Sequence, residues 1–129
     1  MKLINYLTCI SLAVWATHGV AQAQDVTKGD AKRGEKVFEM CRACHSPDGA
    51  PNEVGPGLRG VVGRRAGARD DFRYSPAMKR SGITWTAQTL DAFLADPQKV
   101  VPANRAAFDG VPNARDRADL IAWMLQAFK

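Results

Sequence analysis

Cys41-Arg42-Ala43-Cys44-His45 crowds three reactive side chains into five residues. Two thiols three positions apart, followed at once by an imidazole, form the C-x-x-C-H pattern of covalent haem attachment. The spacing has a physical reason. Thiols at that separation reach the two vinyl groups on one edge of a porphyrin and form thioethers. The adjacent imidazole can then swing under the iron as an axial ligand. Other chemistries also use cysteine pairs. A zinc site generally takes four N or S donors, and this cluster offers three, too crowded to close a tetrahedron alone. A thioredoxin-like redox pair wants a strand-then-helix context, which the pattern lacks. A plain structural disulfide would join distant cysteines and close a long loop. The expected chemistry is one haem c, attached through Cys41 and Cys44, with His45 as the proximal iron ligand.

The elements that hold this motif must come from a short chain. It has 129 residues and a mass of 14.0 kDa, which allows one small domain. That is too little for a barrel or doubly wound enzyme of typical size. With 46% hydrophobic and 24% charged residues, the chain is neither disordered nor a multi-spanning membrane protein. Residues 1–23 read as a secretory signal. Lys2 supplies the positive start, residues 3–15 the apolar run, and Ala21-Gln22-Ala23 the small-x-small cleavage pattern. The run is shorter than the roughly 20 residues of a membrane-spanning helix. Residues 24–129 then form the mature domain, expected in the periplasm as a monomer without stable membrane insertion. Cleavage removes Cys9 and His18, so Cys41, Cys44 and His45 become the mature chain's whole complement of cysteine and histidine.

Hydrophobic periodicity points to helices. One is expected over residues 30–43, with Val37 and Phe38 on its buried face. A second is capped by Thr86, carries Leu90, Phe93 and Leu94, and stops before Pro97. A third covers residues 115–128, with Leu120, Ile121, Met124, Leu125 and Phe128 as its apolar stripe. Residues 46–82, rich in Gly, Arg and Asp, read as loops. A loop that long needs something to organise it, and a haem edge would serve.

Several blocks around the motif resemble the class I c-type cytochromes of the mitochondrial and photosynthetic-bacterial type. They are Gly34-Glu35-Lys36-Val37-Phe38, Val54-Gly55-Pro56-Gly57-Leu58, Leu58-Arg59-Gly60-Val61-Val62-Gly63-Arg64, Ser81-Gly82-Ile83-Thr84-Trp85 and Arg117-Ala118-Asp119-Leu120-Ile121-Ala122-Trp123. The resemblance runs from Gly29 to the C-terminus. It implies an all-α, small single-domain cytochrome c fold, with helices wrapped around a covalently bound haem. It also implies that the first and last helices cross at Gly34, beside Phe38, Leu120 and Trp123. Pro56 would accept a hydrogen bond from the proximal imidazole, and Arg64, Tyr74 and Trp85 would meet the buried propionates.

The distal side departs from the family. Its axial methionine falls on Ala106, which has no donor atom. The tyrosine that hydrogen-bonds that methionine falls on Phe93, and a usual asparagine falls on Met78. Phe93, Met78, Ala106, Ala107 and Phe108 would form a more apolar pocket. The sixth ligand is open among Met78, Lys99, water or hydroxide, and none at all. Arg105 stays protonated and cannot ligate.

The resemblance implies an electron carrier rather than an enzyme, working with a redox protein partner. The net charge of +5, or +4 once Lys2 is lost, suits an acidic docking surface on that partner. The alternative is a module that binds nitric oxide or carbon monoxide. A peroxidase-like enzyme ranks below both, because no distal acid–base histidine is present. Nucleic acid is not an expected partner, since the arginines are scattered without interleaved aromatics.

Overall fold

The computed structural model describes residues 25–46, 48–51 and 54–129. The signal proposed over residues 1–23, with Cys9 and His18, lies outside the described residues. Among the described residues five α-helices follow in chain order: α1 (Ala31–Phe38), α2 (Pro76–Arg80), α3 (Ala87–Ala95), α4 (Pro97–Val100) and α5 (Ala114–Ala127). Among the described residues there is no strand, and one isolated bridge joins Arg65 to Thr84. The architecture is that of a small all-α domain.

Each helix begins at a local signal. Asp30 caps α1 by accepting from the backbone N–H groups of Lys32 and Arg33. Thr86 and Thr89 form a reciprocal capping box on α3. Asn113 caps α5. Pro97 follows the end of α3 as expected, but it also opens α4, capped by Asp96. Residues 46–82 are not all loop: Ser75 caps a one-turn helix, α2, with Pro76 at its first position. One turn is too short to leave a periodic signal in a sequence.

The first helix is shorter than its apolar pattern suggests. It stops at Phe38 and tightens into a 3-10 turn over Glu39–Cys41. The Cys44 and His45 N–H groups then both donate to the carbonyl of Cys41. This turn brings the two thiols and the imidazole to one end of α1.

The crossing of α1 and α5 is the main helix–helix contact. It needs glycine. A Cβ on Gly34 would overlap the carbonyl oxygen of Asp119, and one on Gly29 would overlap that of Ala118. Phe38, Leu120 and Ile121 lie buried at the crossing, and the Phe38 ring sits 4.5 Å from that of Trp123. Leu125 of the expected stripe is only partly buried.

Asp119 is a feature the apolar patterns gave no hint of. It is 1% exposed, yet ionisable. Its carboxylate accepts from the Asp30 N–H at 2.6 Å and from Arg33 Nε and Nη2 at 2.7 and 3.0 Å. These donors offset its desolvation and hold its pKa below the ordinary aspartate range. The start of α1 is thereby fixed to α5.

Candidate haem-binding site

His45 is held by its own turn and by the segment facing it. Its Nδ1 lies 2.8 Å from the carbonyl oxygen of Pro56. A carbonyl can only accept, so Nδ1 carries the proton and donates. The Nε2 lone pair of the neutral ring is then the one available to a metal. Burial lowers the pKa of His45, although the Pro56 bond works the other way. Gly55 lets this segment approach. A Cβ there would lie 2.8 Å from His45 Cε1 and would overlap the Cys44 carbonyl oxygen.

Cys41 and Cys44 are unbridged and partly buried. Burial, with Cys44 beside it, pushes the Cys41 thiol pKa up to about 11. It is therefore a neutral thiol near pH 7. The donor set is two thiols and one imidazole nitrogen, and Cys41 packs against the hydrophobic core, as do partly buried Leu58, Met78, Ile83 and Phe93. Among the described residues no group of three or more His, Cys, Asp and Glu is arranged to hold a metal ion directly. A flat apolar macrocycle that brings its own four nitrogens fits these residues.

A second group lies on the chain between Gly57 and Phe93. Arg64 donates from Nη1 to the Arg59 carbonyl at 2.7 Å and from Nη2 to that of Gly57 at 3.0 Å. Burial lowers its pKa, and Tyr74 is among the groups it faces. Tyr74 stacks edge-on to Phe72 at 5.0 Å, and burial raises its phenol pKa. The Trp85 N–H donates to the Arg64 carbonyl at 2.9 Å, and the Trp85 ring meets Phe93 at 5.1 Å. Arg64, Tyr74, Trp85 and Phe93 are thus brought together.

The candidate distal residues lie on other elements. Met78 sits in α2, partly buried against the core; its N–H donates to Ser75 Oγ and its carbonyl accepts from Ser81 Oγ. Lys99 stands exposed in the last turn of α4. Ala106 and Ala107 are exposed and Phe108 is half-buried, on the segment over residues 101–110. Asn104, to which sequence reasoning assigned no role, organises that segment. It is buried, donates to the carbonyls of Pro97 and Val101, and accepts from the Ala106 N–H, each at 2.9 Å. Asparagine side chains favour a bond to the backbone N–H two residues on, as Asn104 makes to Ala106, and that tendency is the one signal that was available.

A family model described as Cytochrome c matches residues 31–128. A cytochrome c2 of Rhodomicrobium vannielii is 42% identical over 126 residues, covering 96% of this chain and 95% of that protein. A cytochrome c2 of Rhodoblastus acidophilus is 46% identical over 99 residues, covering 76% of this chain and 92% of that protein. Among solved structures, cytochrome cH from Methylobacterium extorquens superimposes with a TM-score of 0.72 at 43% identity. That match covers 76% of this chain and 99% of the other.

Proposed function

The chain belongs to the cytochrome c family as a class I c-type cytochrome, and we propose that it is an exported electron carrier whose haem iron has no methionine at Ala106. It binds one haem c, covalently, through Cys41 and Cys44. When bound, the haem supplies one iron centre that accepts and returns a single electron. Family members pass such electrons between redox partners.

The protein's own part is to hold and tune that centre. His45 serves as the proximal ligand through Nε2, oriented by the Pro56 carbonyl 2.8 Å from Nδ1. This hydrogen bond is the observation that carries the reading. Arg64, Tyr74 and Trp85 serve the propionates, and their mutual placement supports that role. Phe93 and Phe108 give apolar walls. Thioether ligation raises a haem potential, so its absence at Ala106 lowers the potential of this carrier. The candidates for the sixth position remain Met78, Lys99 and water. Met78 packs with the core and Lys99 is exposed on α4, which favours water or an open position.

Export is inferred from the pattern of residues 1–23, and the mature domain, residues 24–129, then works in the periplasm. Among the described residues no helix is long and apolar enough to cross a membrane. The net charge of the mature domain, +4 once Lys2 is lost, favours a partner with an acidic docking face. Voltammetry of the purified holoprotein tests the carrier reading. A reversible one-electron wave, with rapid exchange to a soluble redox protein, is expected. No exchange with any acidic partner would overturn it. The second reading, binding of nitric oxide or carbon monoxide, is favoured by Ala106 together with Phe93.

A further inference from the structure

The segment over residues 101–111 is fastened firmly at both ends. At its start Ala103 takes a left-handed backbone, φ 62°, which an alanine adopts at some cost. The buried side chain of Asn104 holds that turn in place through three hydrogen bonds. At its end the Val111 N–H donates to the Leu94 carbonyl at 2.7 Å. A Cβ on Gly110 would lie 2.6 Å from the Ala95 carbonyl oxygen, so the chain lies close against α3 there.

Between these anchors, residues 105–109 are exposed or half-buried. Among the described residues, one hydrogen bond crosses from this span to another segment. Arg105 Nη2 donates to the carbonyl oxygen of Arg73 at 2.9 Å, across 32 positions of sequence. Arg73 stands between Phe72 and Tyr74, so the bond ties the Ala106 segment to the segment carrying Tyr74.

We propose that Arg105 is a latch on the distal segment, controlling how fast small ligands reach and leave the iron beside Ala106. The proposal rests on the open distal position proposed above. Two fixed ends and one releasable crossing bond make a strap that can lift in its middle. A latch that touches no ligand has a definite kinetic signature. Removing it raises the open population, so access and escape speed up together and the affinity stays the same. A residue that contacts the ligand would change the affinity instead.

The test uses the reduced holoprotein with carbon monoxide as the probe. In Arg105→Gln, the association and dissociation rates are each expected to rise about two- to fivefold, the weight of one exposed charged hydrogen bond. Arg105→Lys, which keeps a cationic donor, should fall between. Arg80→Gln removes an exposed charge elsewhere and should leave both rates unchanged. Equal rates in wild type and Arg105→Gln, or a change in affinity, would overturn the latch. A wild-type protein that ignores carbon monoxide would overturn the open-iron reading instead. Amide exchange in the oxidised protein then still reads the latch. The Ala106 N–H is expected to exchange about two- to fivefold faster in Arg105→Gln, and unchanged exchange would overturn it.

Discussion

The carbonyl oxygen of Pro56 sits 2.8 Å from Nδ1 of His45, and Gly55 makes that approach possible. The imidazole is thus aimed by backbone from a segment eleven residues away. Gly55→Ala adds a methyl group against the ring and the Cys44 carbonyl. The holoprotein is expected to lose roughly 1–3 kcal/mol of stability and to show an altered reduced-state spectrum. Denaturant titration with absorption spectra checks both.

The two thiols make the cofactor permanent. Cys41→Ser and Cys44→Ser should each leave a haem held by one thioether. The double variant should release its haem on acid–organic extraction, while wild type keeps it. Intact-protein mass spectrometry reads the result directly.

Asp119 is buried with three charge-assisted donors around it. Asp119→Asn turns one acceptor into a donor facing Arg33. A loss of roughly 2–4 kcal/mol is expected, discounted because Arg33 is half exposed. The folded-state pKa lies below the unfolded value of about 3.8. The stabilisation is therefore complete above that value and fades as pH falls through the folded pKa. The gap between wild type and Asp119→Asn should be constant near neutrality and close in acid. Urea titrations from neutral pH down to about pH 3 follow it.

Gly34 is the contact point of α1 and α5. Gly34→Val would force the two backbones apart at the Asp119 carbonyl, and a loss of roughly 2–4 kcal/mol is expected. Thermal denaturation of the holoprotein measures it.

How much of this was legible beforehand follows from the physics of each residue. Cys41, Cys44 and His45 are neighbours in sequence, so their chemistry needed no fold to be seen. The helix crossing at Gly34, beside Phe38 and Trp123, was legible only through the family resemblance; the periodicity of α1 and α5 marks their apolar faces but not which helix they meet. Asp119 was not, because an aspartate inside an apolar stripe reads as a break until Arg33 is seen opposite it. Asn104, and the bond Arg105 makes to another segment, were missed in a similar way. Their partners, Pro97 and Arg73, lie outside any periodic pattern and offer backbone carbonyls, which every residue has. The short α2 was lost among loop residues because one turn has no period.

Restoring a thioether probes the distal side. Ala106→Met is expected to give a low-spin reduced form, a higher potential and slower, weaker carbon monoxide binding. Spectroelectrochemistry compares it with wild type. An unchanged potential would mean that the segment does not bring residue 106 to the iron.

The absence of a methionine at Ala106 is the centre of this account. Its most direct test is the absorption spectrum of the reduced wild-type holoprotein with and without carbon monoxide. A high-spin spectrum that converts promptly on adding the gas is predicted. A low-spin spectrum that the gas leaves unchanged would contradict it, and would point to Met78 or Lys99 as an internal ligand.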